Sequence, residues 1–109
     1  MIRNTRKEPI SPLSHPVGDS SVFRRNADIV SSEFGGEESV LFNYRDRRSF
    51  LLNSTASRIY HLTNGQRSVK IICDVITEHY SAEQEQIKSD VKRIYRTFLE
   101  RGIVIHGQQ

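Results

Sequence analysis

Hydrophobic and polar residues alternate in short runs between residues 26 and 53, which is the period expected of β-strands. Val40 and Phe42 share one face of the middle run, and Gly35-Gly36 before it supplies the positive backbone angles of a tight turn. The turn after the middle run is polar and contains no glycine. The predicted strands are residues 27–34, 38–43 and 48–52. Because short turns join them, they are expected to form an antiparallel meander.

After residue 53 the hydrophobic spacing changes to i, i+3, i+4, i+7, which is typical of amphipathic helices. Three helices are predicted, and each follows a residue whose side chain can cap its first turn. These caps are Asn53 or Ser54, then Ser68, then Ser81 in a capping box with Gln84. The apolar stripe of the third helix consists of Ile87, Val91, Ile94, Phe98 and Leu99. Gly102 ends this helix, and residues 103–105 can add a short closing strand.

This order of elements predicts an α+β domain of the winged helix-turn-helix type, over residues 26–106. A three-stranded antiparallel sheet comes first and three helices follow. Two shorter helices before a longer one match helix-turn-helix geometry, and the sheet beside them supplies the wing.

Residues 1–25 are predicted to be a disordered basic tail, because they contain all three prolines and little apolar content. This segment holds five basic and two acidic residues, which accounts for the whole formal charge of +3. The other 84 residues carry 11 basic and 11 acidic groups, so the predicted domain is neutral. A neutral domain argues against a nucleic-acid partner.

A winged-helix DNA-binding protein is the alternative that the residues leave open, with the third helix as recognition helix. Basic residues on that helix and in the hairpin turn favour it: Lys88, Lys92, Arg93 and Arg96, and Arg45, Arg47 and Arg48. Acidic residues on the same helix oppose it: Glu83, Glu85, Asp90 and Glu100.

Catalytic and metal-binding patterns are absent from the sequence. The single cysteine, Cys73, lies on an apolar helix stripe and cannot form an internal disulfide. The four histidines show no metal-ligand spacing, and no nucleophile stands with a base. No apolar stretch is long enough for a membrane helix or a secretory signal. The expectation is a cytoplasmic protein that is not an enzyme, with no cofactor, no metal and no membrane contact.

Several short segments, taken in order, resemble the PqqD family of pyrroloquinoline-quinone biosynthesis and the wider RiPP recognition elements. (RiPPs are ribosomally synthesised peptides that enzymes then modify.) The resemblance spans about residues 27–105 and departs at the hairpin turn, where many relatives have a glycine. The segments are Val40-Leu41-Phe42, Phe50 to Ala56, Ile59 to Leu62 with Asn64-Gly65, Arg67-Ser68-Val69 with Ile72, Tyr80, Asp90-Val91, Phe98-Leu99 and Gly102-Ile103.

The resemblance implies a domain that captures the leader segment of a precursor peptide and passes it to a maturation enzyme, often a radical SAM protein. It also implies that the leader lies along the third strand, beside the third helix. A free strand edge suits this role, because its unpaired N–H and C=O groups can pair with an added strand. The predicted peptide-binding residues are Arg48, Ser49, Phe50, Leu51, Leu52, Lys88, Val91, Lys92 and Tyr95. A scaffold that docks on an enzyme without binding a leader stays open, as does the choice between monomer and dimer.

Overall fold

The computed structural model describes residues 17–33, 37–80 and 83–107, and within them the chain forms five strands and three helices. In chain order these are β1 (Phe23–Arg25), β2 (Ile29–Glu33), β3 (Ser39–Asn43), β4 (Arg48–Leu52), α1 (Ser54–Leu62), α2 (Val69–His79), α3 (Gln84–Glu100) and β5 (Val104–His106). The predicted α+β class is confirmed, since β2, β3 and β4 form an antiparallel sheet and three helices follow it.

The sheet has the order β2–β3–β4, and its middle strand places Leu41 opposite Ser31 on one side and Phe50 on the other. Leu41 is fully buried, so this face of the sheet covers the core. The β3–β4 turn contains no glycine, and Arg47 takes the left-handed backbone conformation (φ 67°). The Asn43 side chain stabilises the turn by accepting hydrogen bonds from the backbone N–H groups of Arg45, at 2.9 Å, and Asp46, at 3.2 Å.

Side-chain caps begin two of the helices as the sequence predicts. Asn53 accepts a hydrogen bond from the Ala56 N–H at 2.9 Å, and Ser68 accepts one from the Ile71 N–H at 3.2 Å. The third helix differs, because it begins at Gln84 after Glu83, whose side chain makes no capping bond. The predicted cap residue Ser81 lies outside the described residues.

The segment from residue 17 to residue 25 belongs to the fold, which corrects the predicted domain start at Asn26. Phe23 is 1% exposed, and β1 pairs with β5 in a second, two-stranded antiparallel sheet. The Phe23 carbonyl also accepts a hydrogen bond from the Gly65 N–H at 2.9 Å. The sequence pattern missed this segment because its few apolar residues reach the core through contacts with the far end of the chain. The predicted disorder of residues 1–16 concerns positions outside the described residues.

Tyr95 of α3 lies at the centre of the core and is fully buried. Its ring stacks on Phe23 with centroids 4.7 Å apart, and its hydroxyl shares a hydrogen bond of 2.5 Å with Thr63 Oγ1. Phe98, one turn further along, meets the Tyr60 ring edge-on. These contacts join the N-terminal strand, the end of α1 and α3 into one core.

We expect the replacement Phe23→Ala to lower the free energy of unfolding by about 3–4 kcal/mol, because it empties a fully buried aromatic site. Chemical denaturation measures the change. Deletion of residues 1–16 is the comparison, and we expect it to leave stability nearly unchanged. If Phe23→Ala were as stable as the parent chain, β1 would not be part of the folded domain in solution.

Candidate functional site

A groove lies between β4 and the C-terminal half of α3, at one edge of the three-stranded sheet. Among the described elements β4 pairs only with β3, so its other edge faces the groove. The cavity in the groove has a volume of about 380 Å³. Its lining is Ser49, Phe50, Leu51, Leu52, Asn53 and Ala56 on one side, with Arg93, Ile94, Thr97, Phe98, Arg101 and Ile103 on the other.

The direction of the backbone groups on β3 follows from the hydrogen bonds at its end. The Tyr44 N–H donates to the Asp28 carbonyl at 3.2 Å, which is the side of β2. The Asn43 carbonyl accepts from the Arg47 N–H at 2.7 Å, which is the side of β4. Because these directions alternate along an antiparallel strand, odd-numbered residues of β3 bond to β4 and even-numbered residues bond to β2.

On β4 this alternation leaves the backbone groups of Ser49 and Leu51 without a backbone partner among the described residues. The partners of the odd-numbered β3 residues in the observed register are Arg48, Phe50 and Leu52. Their backbone groups therefore face β3. The exception is the Arg48 N–H, which donates to Asp46 Oδ1 at 3.1 Å. The N–H and C=O groups of Ser49 and Leu51 point away from the sheet, along the groove. This arrangement can accept one further strand.

The side chains of β4 also alternate between two faces. Leu52 is buried and Phe50 is half-buried on the face that covers the core, where Phe50 forms part of the groove floor. Leu51, which is 68% exposed, lies on the opposite face of the sheet with Ser49. The five predicted β4 residues therefore stand together at the groove edge, but only some of their side chains point into it.

Lys88 and Lys92, which the sequence predicts to be peptide-binding, lie on another side of α3 and contact the N-terminal segment. Their ammonium groups are 3.3 and 2.9 Å from the Asp19 carboxylate. Hydrogen bonds from Lys92 and Lys88 lower the pKa of Asp19, and the bond with Asp19 raises the pKa of Lys88. This pairing places both lysines away from the groove, which is a correction of their predicted position.

Val91 and Tyr95, the other α3 residues of the predicted site, are 1% and 0% exposed and contribute to the core. Burial raises the pKa of Tyr95 to about 12, with the hydrogen bond to Thr63 acting in the opposite direction. Neither residue lines the groove, so the structure does not bring them together with β4. The apolar α3 residues that do line the groove are Ile94 and Phe98, on the neighbouring face of the helix.

Arg48 closes one end of the groove. Its guanidinium lies over the Phe50 ring, 5.3 Å from the centroid, and its Nη2 donates to the Arg101 carbonyl at 3.3 Å. Because this contact joins the start of β4 to the end of α3, the strand and helix run along the groove in opposite directions. Sequence reasoning missed Arg93, Thr97 and Arg101, although their i, i+4, i+8 spacing marks them as one helix face.

The described residues contain no cluster of His, Cys, Asp and Glu side chains arranged to hold a metal ion. Cys73 is buried, and burial is the main cause that raises the pKa of its thiol. Among the helices that the structure describes, none is long and apolar enough to cross a membrane. The groove is therefore the feature that invites a functional interpretation.

Comparison with known proteins gives one family and two similar folds. The family model described as coenzyme PQQ synthesis protein D (PqqD) matches residues 38–104. No curated protein matches the sequence. TbiB1 in complex with the TbiA(beta) leader peptide has a TM-score of 0.68 and 22% identity, over 74% of this chain and 93% of that chain. Lasso peptide synthetase B1 complexed with the leader peptide also has a TM-score of 0.68 and 22% identity, over 76% of this chain and 96% of that chain. At this identity the likeness shows a shared fold.

We expect Tyr95→Phe to lower the free energy of unfolding by about 1 kcal/mol, because it removes the hydrogen bond to Thr63. The replacement should also change the pH dependence of stability. The pKa of Tyr95 is about 12 in the folded chain and near its usual value of 10 in the unfolded chain, so folding favours the protonated form. This contribution is complete below pH 10 and is lost between pH 10 and pH 12, at up to about 1 kcal/mol per pH unit.

Urea unfolding of both proteins across this range measures the effect. The parent chain should lose stability more steeply than Tyr95→Phe, since other alkaline effects are common to both. Equal slopes would contradict a buried, hydrogen-bonded Tyr95.

Proposed function

Because this chain belongs to the PqqD family, we propose that it binds the leader segment of a ribosomally made precursor peptide as an additional strand on β4. The observation that carries the proposal is the edge at Ser49 and Leu51, whose backbone groups have no partner among the described residues and lie beside the groove. Main-chain hydrogen bonds to this edge supply affinity, and the groove between β4 and α3 takes alternate side chains of the peptide. Two proteins of similar fold have been solved with leader peptides, which supports leader binding.

The peptide-binding surface that we propose combines the predicted strand with a revised helix face. Arg48, Ser49, Phe50, Leu51 and Leu52 form the strand side, as the sequence predicts. On the helix side, Ile94, Thr97 and Phe98 replace the predicted Lys88, Val91, Lys92 and Tyr95. Every second side chain of an added strand would point towards α3, and the others would lie beside the exposed Leu51.

We also propose that the chain is not itself an enzyme and that it hands the bound leader to a separate maturation enzyme. A radical SAM protein is the partner that the family resemblance suggests. An edge-bound strand suits delivery, because the peptide is held by its main chain and the residues beyond the leader extend freely from the groove.

The DNA-binding alternative has less support from the charges of the domain. Asp19 pairs with both lysines of α3, and Asp90 pairs with Arg93 at 3.0 Å. In the hairpin, Arg45 and Arg48 pair with Asp28 and Asp46. Because most of these cations have a carboxylate nearby, less of their positive charge is left for phosphate contacts.

Proline replacements on the two edges of the sheet test strand addition. We expect Ser49→Pro and Leu51→Pro each to weaken leader binding about tenfold or more, because each removes an outward N–H donor and adds a ring at the edge. Both should keep the fold, since neither N–H belongs to the β3–β4 ladder. Phe50→Pro breaks that ladder and should destabilise the domain.

The measurement is fluorescence anisotropy with a labelled peptide that covers the leader of a candidate precursor. Ser31→Pro is the matched control, because Ser31 lies on β2 and its backbone groups point outward at the opposite edge of the same sheet. It should bind the leader normally. Normal binding by folded Ser49→Pro and Leu51→Pro would show that the leader does not pair with β4.

A further inference from the structure

The charged residues that line the groove are all basic. Arg93 and Arg101 are among the residues that line the cavity, and no carboxylate is among its described lining residues. Arg48 adds a third guanidinium at the closed end. Arg93 forms an ion pair with Asp90, which does not line the groove. No described carboxylate forms an ion pair with Arg101. A peptide in this groove therefore meets Arg101, which no described carboxylate balances, together with Arg93 and Arg48, which share their charge with Asp90 and Asp46.

The apolar part of the groove lies between the two arginines. Ile94, Phe98 and the half-buried Phe50 form its floor, and Ile103 closes it below. Arg93 lies on α3 and Arg101 is the residue that caps its C-terminal end, and a separation of eight residues is about 12 Å along a helix. A large apolar side chain placed midway between them would enter the floor while its neighbours in the strand reach the arginines.

The repeat of an added strand matches this spacing. Side chains on one face of a strand recur every second residue, about 6.7 Å apart, so residues i and i+4 are separated by about 13 Å. This agrees with the separation of Arg93 and Arg101 along α3. Residue i+2 then lies over the apolar floor. The contact between Arg48 and Arg101 brings the start of β4 to the C-terminal end of α3.

Resting on the proposed function, we infer that the groove selects leader segments of the pattern acidic–x–apolar–x–acidic, with the apolar residue on Ile94 and Phe98 and the two carboxylates on Arg93 and Arg101. The guanidinium fork donates paired hydrogen bonds to a carboxylate, so the contact has direction as well as charge. Arg93 and Arg101 thus determine which leader is accepted, whereas the β4 edge binds the main chain of any extended peptide.

Synthetic peptides labelled with fluorescein test this pattern by anisotropy. The reference probe is Thr-Val-Glu-Thr-Leu-Thr-Glu-Val-Thr. In three further probes both glutamates are replaced by glutamine, both are replaced by lysine, or the leucine is replaced by serine. We expect the glutamine probe to bind about tenfold more weakly than the reference at low salt, and the lysine probe more weakly still. High salt should reduce these differences but not the effect of the serine probe.

Charge exchange on the protein assigns the effect to the two arginines. Arg93→Gln and Arg101→Gln should each weaken binding of the glutamate probe about threefold and leave the glutamine probe unchanged. The double replacement Arg93→Glu with Arg101→Glu should prefer the lysine probe. Arg96→Gln is the matched control, because Arg96 lies on α3 beside Lys88 and Lys92, away from the groove.

The possible results separate this inference from the function on which it rests. Equal binding of the glutamate, glutamine and lysine probes would overturn the charge pattern and leave strand addition intact. An unchanged preference in the double replacement would overturn the assignment to Arg93 and Arg101. If none of the probes bound, while Ser49→Pro and Leu51→Pro still bound the natural leader, strand addition itself would be wrong.

Discussion

The rotation of α3 about its own axis is the constraint on which the rest of this structure depends. Tyr95 sets it, because its ring stacks on Phe23 and its hydroxyl bonds to Thr63 in the interior. Once Tyr95 and Val91 point into the core, the helix has two remaining flanks. One flank carries Lys88 and Lys92 towards the N-terminal segment, and the other carries Ile94 and Phe98 towards β4.

The N-terminal segment makes this arrangement stable. It crosses the start of α2, pairs with β5 and brings Asp19 to the two lysines. A charge pair at a partly exposed site contributes little by itself, whereas the burial of Phe23 contributes several kcal/mol. The segment therefore stabilises the domain mainly through Phe23, and Asp19 adds specificity by giving the lysines a fixed partner.

An unpaired strand edge is a hazard for a small protein, because it can template pairing with other chains. Here the edge is short, since β4 has five residues, and it lies beside a helix. Arg48 adds a charged residue at one end, over the Phe50 ring. These features limit uncontrolled pairing while leaving room for one extended segment. The same backbone groups that would promote aggregation in the open are thus confined to a groove with its own shape and charge.

The sequence by itself determined the local elements of this protein. Alternation over residues 48–52, the caps at Asn53 and Ser68, and the order of strands and helices all depend on contacts between near neighbours, so the sequence pattern is sufficient to predict them. The family resemblance indicated the free edge of the third predicted strand as the expected binding site. Only the tertiary structure decided which flank of α3 faces that strand. An amphipathic stripe of Ile87, Val91, Ile94 and Phe98 is compatible with either flank. The pattern shows which residues are buried, but it does not show which elements cover them. The choice rests on contacts with Asp19, Phe23 and Thr63, which are 32 to 73 residues from their partners on the helix and leave no local signal.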